Sequence, residues 1–264
     1  MCELLGICAR DAFRTNDLLD AFFEHSNEHK HGWGLAVFRK GGVSLEKEPV
    51  QAGESTYLKR RMSRPVTAAN LFAHIRFATI GRIEYANCHP FVWDDDTGRT
   101  WTLIHNGTLF EAEPLAPFLD QQEGTTDSER LLMYIVSRVN GLLADGRYAG
   151  AGSKSELSAA ARFLLLDEII RQMSAGNKLN MLLFDGEYMY VHTNCRNSLF
   201  TYYEPCKTIF ATRPIRYDGW EPLPMNQLFV YRDGEPVFTG QRHNHEFIEE
   251  EHDMSSLMSA YAEL

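Results

Sequence analysis

The chain opens Met1-Cys2-Glu3-Leu4-Leu5-Gly6-Ile7-Cys8-Ala9, and Glu3 to Ala9 reads as a first β-strand. Removal of Met1 would leave Cys2 at the amino terminus, where a thiol and a free α-amine share one carbon skeleton. A free thiol has a pKa of about 8.5 and an α-amine one of about 7.7–8.0, so both change protonation near neutral pH. The amine, directly or through one water, can take the thiol proton and later hand it to a departing amine. Taken alone, Cys2 is better read as an ordinary small residue in a first strand. The rest of the chain reverses that.

A length of 264 residues with 44% hydrophobic content supports one substantial core. The net charge of -10 argues against a sequence-independent nucleic-acid binder, which needs a basic surface to neutralise phosphates. No uninterrupted apolar stretch reaches the roughly 18 residues that span a bilayer, and no basic-then-apolar leader follows Met1, so no membrane partner and a cytoplasmic location are expected. The five cysteines (Cys2, Cys8, Cys88, Cys195, Cys206) are odd in number and contain no C-x-x-C, which disfavours a disulfide framework and a zinc ribbon alike.

Strands at both ends flank a helical middle. Asp17 to Asn27 carries Leu18, Leu19, Phe22 and Phe23 at helical spacing. Gly34 to Arg39 and Val43 to Lys47 flank Gly41-Gly42, a two-residue hairpin signal. Ala69 to Phe77 and Thr100 to His105 read as further strands, and Ser128 to Leu143 as a long helix with one apolar face. A small-residue linker, Gly146 to Gly152, leads to a second helix expected over Ser153 to Ala175. Two hairpins are expected at Asp185-Gly186 and Asp233-Gly234. The acidic tail 241–264 either forms a terminal helix around Phe247, Ile248, Leu257 and Met258 or frays.

The residues that can carry chemistry lie at strand ends. His74-Ile75-Arg76-Phe77-Ala78-Thr79 closes one strand, and the planar fork of Arg76 can grip a carboxylate through two parallel hydrogen bonds, although a structural salt bridge explains a lone arginine as well. In His105-Asn106-Gly107-Thr108-Leu109 the Asn106 amide and the Gly107 N–H could meet one developing oxyanion, or the pair could simply turn the chain. Thr126 and Glu129 form a capping box ahead of the long helix. Asp127 is surplus to that box and free for a substrate ammonium, while the helix dipole alone would also favour an acid there. Gly32-Trp33-Gly34 either shapes a pocket wall or packs a buried tryptophan. His25, His29 and His31, and likewise His243 and His245, read as a loop border or solvated patches rather than metal ligands, so no metal and no cofactor is expected.

In order, Cys2, His74 to Thr79, Asn87-Cys88-His89-Pro90-Phe91, His105 to Leu109 and Thr125-Thr126-Asp127-Ser128-Glu129 form a constellation that resembles the class II glutamine amidotransferases, which are N-terminal nucleophile hydrolases. The resemblance implies a single α+β domain over residues 1–264, a four-layer αββα sandwich of two mainly antiparallel sheets between helices. It implies Cys2 as nucleophile, Arg76 for the substrate α-carboxylate, Asn106 with Gly107 as oxyanion hole, and Asp127 for the α-ammonium, with Thr79 and Trp33 as further substrate-binding candidates. His31 to Phe38 and Lys178 to Asn194 are more similar to the stand-alone branch without a synthase domain. Synthase-fused members usually begin Cys-Gly-Ile-Val-Gly, where this chain has Cys2-Glu3-Leu4-Leu5-Gly6, and often carry histidine where it has Ile80. The implied substrate is glutamine or another γ-glutamyl compound, with a separate synthase as a possible ammonia acceptor. A glutamine-sensing module that retains the pocket without turnover is the rival from another class.

Overall fold

The computed structural model describes residues 2–78, 82–110, 112–145 and 156–249. In chain order the strands are β1 (Glu3–Arg14), β2 (Trp33–Arg39), β3 (Gly42–Glu48), β4 (Thr67–Ile75), β5 (Phe91–Asp94), β6 (Thr100–Thr108), β7 (Lys178–Phe184), β8 (Met189–His192), β9 (Phe200–Glu204), β10 (Lys207–Ala211), β11 (Glu221–Pro222), β12 (Phe229–Arg232) and β13 (Glu235–Thr239). The helices are α1 (Asn16–Glu24), α2 (Thr56–Met62), α3 (Asp127–Asp145) and α4 (Ala159–Met173). One sheet runs β11-β9-β10-β1-β4-β2-β3 and the other β13-β12-β8-β7-β6-β5. Pairing within both is antiparallel throughout.

The first strand shows how the layers arise. Side chains alternate across a strand, so a strand central to a sheet and covered on both faces must be apolar at every position. Leu5 and Ile7 of β1 pack under Leu19 and Phe22 of α1 and Leu58 of α2. Leu4 and Cys8 face the other way, onto Ile104 and Leu182 of the second sheet. That second sheet repeats the pattern. Leu103, Met181 and Leu183 pack against α3 and α4, while Leu182 and Phe184 face the first sheet. Helices, sheet, sheet and helices are therefore the αββα sandwich expected, with three apolar interfaces between four layers. Gly6 allows the close approach of the sheets: a Cβ there would lie 2.6 Å from Leu182 Cδ1.

Several elements differ from the reading of the sequence. The helix after Asn16 stops at Glu24 and tightens into a 3₁₀ turn over His25–Asn27. The second middle helix begins at Ala159, where the Ser158 hydroxyl accepts the Ala161 N–H at 3.2 Å. Residues 146–155, with the proposed linker, lie outside the described residues. The Gly41-Gly42 hairpin is shifted by one, since Arg39 already pairs with Gly42. Helix α2 and strands β5, β9, β10 and β11 carried no clear signal. The β9–β10 turn shows why: it places Cys206 at φ 62°, a left-handed position filled without glycine. The tail from Gln241 to Glu249 forms no helix, and Phe247 bridges Cys195 in parallel; Leu257 and Met258 lie outside the described residues. Among the described residues no helix is long and apolar enough to cross a membrane.

Four buried histidines give the fold an acid limit. Burial pushes His74 and His192 down to about 3 and His243 to about 4, and holds His89 well below its usual value. The folded protein keeps these rings neutral, whereas in the unfolded chain each protonates near about 6.5. The unfolded state therefore binds more protons as pH falls from about 6.5 towards 3–4, and stability falls with it, by about 1.4 kcal/mol per pH unit for each histidine. Denaturant melts at pH 7, 6 and 5 should show this slope. His192→Asn, which keeps a donor for the Leu179 carbonyl, should remove about one proton of it. Stability that is flat between pH 7 and 5 would contradict the neutral buried rings.

Candidate active site

Cys2 and Asn106 face each other across the sandwich at one end. Cys2 precedes Leu4 by two residues and Asn106 follows Ile104 by two, so both side chains share the inter-sheet side with those core residues. The Asn106 amide Nδ2 donates to the Cys2 carbonyl. The Cys2 thiol lies against the Phe77 backbone, 3.4 Å from its N–H nitrogen and 3.5 Å from its carbonyl oxygen. Burial pushes the Cys2 thiol above its ordinary value; the Phe77 N–H and the charge of Arg76 pull it back, and the charge of Asp127 adds to the rise. The group is thus a thiol at neutral pH and needs a base to become a nucleophile.

Strand β4 ends at Ile75, which puts Arg76 and Phe77 just beyond the sheet rather than within it. The Arg76 N–H still donates to Gly32 at 2.8 Å, and its buried guanidinium donates through Nη1 to the Arg82 carbonyl at 3.0 Å. Asp127 opens α3, and its Oδ2 accepts the Leu109 N–H at 2.8 Å, which ties the helix start to the end of β6. Thr126 accepts the Glu129 N–H at 3.3 Å as the capping box requires, but the Glu129 carboxylate bonds the Glu123 and Gly124 amides instead of reaching back to Thr126. The charges of Arg76 and Asp127 both reach the Cys2 thiol, one from each sheet's margin.

Asn87 joins these two margins, a role that the sequence alone did not reveal. Its Nδ2 donates to the Arg82 carbonyl, the same oxygen that takes Arg76, and to Thr125 Oγ1, each at 3.0 Å; its Oδ1 accepts the Thr125 N–H at 2.7 Å. The Arg76 loop and the Asp127 turn are thereby held by one amide. His105 supports Asp127 from the helix side: Nδ1 meets Ser128 Oγ at 2.9 Å, and that hydroxyl lies 3.3 Å from Asp127 Oδ1. His31 Nδ1 accepts the Ala78 N–H at 2.8 Å and so fixes the far side of the Phe77 turn.

Gly107 has a steric reason of its own, because a Cβ there would lie 1.9 Å from the Lys178 carbonyl of β7. Trp33 is not brought to the site. It faces the helix layer, fully buried, stacked on Tyr57 and edge-on to Phe23, with its indole N–H on Glu48. The neighbouring Gly34 leaves room for the His89 carbonyl, 1.9 Å from where its Cβ would be. Thr79 lies outside the described residues. His25 and His29 turn to Glu3, with Nδ1 atoms 2.7 and 3.7 Å from its carboxylate, and His243 bonds His192 at 3.1 Å. Among the described residues no three His, Cys, Asp or Glu side chains are grouped to hold a metal ion.

The sequence profile of the class II glutamine amidotransferases matches residues 1–208, which include Cys2, Arg76, Asn106 and Asp127. The chain belongs to this family. An uncharacterized protein of Methanocaldococcus jannaschii is 26% identical to this amidotransferase-family chain over 269 residues, covering 92% of it and 72% of the relative. A crystal structure of a predicted glutamine amidotransferase from Pseudomonas aeruginosa superposes with a TM-score of 0.65 at 20% identity, over 90% of this chain and all of that one. Glutamine phosphoribosylpyrophosphate amidotransferase from Bacillus subtilis superposes with a TM-score of 0.63 at 15% identity, over 91% of this chain and 49% of that one. The fold of these two structures is thus shared by this chain, which matches about half the length of the Bacillus subtilis enzyme.

A cavity of about 480 Å³ opens beside this cluster, with Cys2 and Asn106 in its lining. Glu3 and His29 also line it, and most of its other walls come from the second half of the domain, including Arg196, Ser198, Arg213 and Glu249.

Proposed function

We propose that this protein hydrolyses the γ-amide of glutamine or of a γ-glutamyl compound, with Cys2 as nucleophile once Met1 is removed. The observation that carries the reading is the position of the Cys2 thiol: against the Phe77 backbone, opposite Asn106, and within reach of one buried cation and one buried anion. The free α-amine takes the thiol proton as sulfur attacks the γ-carbonyl carbon. The oxygen gains negative charge and meets Asn106 Nδ2 and the Gly107 N–H. The C–N bond breaks, the amine leaves with the proton, and water splits the γ-glutamyl thioester to glutamate and the free thiol. Arg76 and Asp127 hold the carboxylate and ammonium that every γ-glutamyl group carries. Released ammonia passes to solvent or to a separate acceptor subunit. All five cysteines are unpaired, which supports a reducing compartment such as the cytoplasm.

Glutamate release from glutamine and from γ-glutamyl peptides by Met1-free protein tests this directly. Arg76→Ala and Asp127→Ala should each raise KM about tenfold to a hundredfold, the worth of a hydrogen bond to a charged group at about 1.5–3 kcal/mol. Unchanged kinetic constants in both variants would remove the pair from substrate binding.

A further inference from the structure

The reading of Cys2 as nucleophile leaves the departing amine without a site, and the cavity beside it supplies one. We propose that this cavity is a leaving-group subsite, and that it takes γ-glutamyl amides whose amine portion is an amino acid or short peptide ending in a free carboxylate. The proposal rests on the γ-glutamyl hydrolase reading above.

Position comes first. The cavity is lined by Cys2 and Asn106, where the scissile bond would lie, while Arg76 and Asp127 are absent from its lining. A γ-glutamyl head held by those two residues therefore directs its amine portion away from them, into this space. Size comes next, since ammonia occupies about as much room as a water, roughly 30 Å³, and the cavity holds about 480 Å³. Its walls include the turn at Arg196 and Ser198, the stretch Thr212 to Pro214, and Glu249 of the tail. Thr212, Arg213, Pro214 and Glu249 lie beyond the family match at residues 1–208. Arg196 and Ser198 lie within that match, so the cavity wall combines residues from inside and beyond it.

The chemistry of those walls selects an anion. Arg196 bonds Glu246 through Nε and Nη2, at 3.3 and 3.2 Å. Arg213 bonds Glu3 through Nε at 3.0 Å and Glu28 through Nη2 at 2.8 Å. A guanidinium carries five N–H donors, so among the described residues the Nη1 side of each remains for a ligand carboxylate. Glu3 and Glu249 also line the space, but each already faces a cation, Arg213 and Lys178 respectively. Deeper in, Asn106 Oδ1 is buried and takes no hydrogen bond among the described residues. It is an acceptor beside the reacting carbon, placed for the N–H of the scissile amide. Bond changes are those of the proposed reaction: S–C forms, C–N breaks, the peptide amine leaves with the thiol proton, and water restores the thiol.

The test uses the full-length, Met1-free protein with glutamine, γ-glutamyl-alanyl-glycine, and the same peptide with its terminal carboxylate amidated. The free-acid peptide should have a kcat/KM at least about tenfold above that of glutamine, and amidation should lower it about tenfold. Arg196→Gln should cost the free-acid peptide about as much, and amidation should then cost that variant no more than about twofold, because each change removes the same contact. Arg213→Gln repeats the cycle at the other cation. Strictly additive losses would overturn the assignment of the subsite. Turnover of glutamine with both peptides inert would overturn it too, yet leave the Cys2 amidohydrolase reading standing. No hydrolysis of any of the three would sink both.

Discussion

Cys2→Ala and Cys2→Ser should abolish hydrolysis of glutamine and γ-glutamyl amides while leaving the fold intact. Beyond its backbone carbonyl, which either variant retains, the hydrogen bonds of Cys2 among the described residues are the weak contacts of its sulfur to the Phe77 backbone at 3.4 and 3.5 Å. Stability should therefore change by less than about 1 kcal/mol, since such bonds are worth little net. Activity should fall by about 10⁴ or more, the cost of deleting a nucleophile that works as a unit with its base. Serine should not rescue, because a hydroxyl is far harder to deprotonate than a thiol, and burial already opposes ionisation at this position. Retention of Met1 should be as damaging as either substitution, because it turns the Cys2 amine into a peptide nitrogen with no proton-accepting power. Rates of glutamate release beside a thermal melt decide the matter. Full turnover by a folded Cys2→Ala protein would contradict it.

Asn106→Ala should lower kcat by about two to three orders of magnitude with a modest change in KM, the effect of deleting one oxyanion donor. The charge that Nδ2 meets exists only after the thiol has attacked, so the interaction is worth more in the transition state than in the ground state. Asn106 also ties β6 to Cys2 through the Cys2 carbonyl, and that bond gives the competing outcome. Were the bond purely structural, the variant would lose melting temperature and keep its turnover. Steady-state kinetics beside a melt separate the two, and near-normal kcat in a destabilised protein would refute the oxyanion role.

The residues that approach the thiol were legible in the sequence because each sits at a strand or helix end marked by its own short pattern. Arg76 follows β4, Asn106 and Gly107 close β6, and Asp127 opens α3 behind a capping box. The layer order was legible only through resemblance, since a strand buried on both faces, as Leu4 to Cys8 is, shows no alternation from which to read a sheet face. Asn87 was quoted within a motif but given no role, because its four side-chain hydrogen bonds among the described residues reach up to 38 positions away, a pairing no local spacing reveals. Trp33 misled for the opposite reason. Its glycine neighbours do mark a close approach, at Gly34 against His89, but period-two alternation turns the tryptophan itself to the helix layer. The cavity walls at Arg196, Arg213 and Glu249 come from three separate segments whose association is purely tertiary.

The most direct test is to treat the cell-derived protein with an electrophilic ketone analogue of glutamine and measure its intact mass, followed by peptide mapping. The account predicts a polypeptide lacking Met1 that gains one equivalent of label on Cys2, with activity lost in step. Label on Cys88, Cys195 or Cys206 with Cys2 untouched, or full activity in protein that retains Met1, would contradict it.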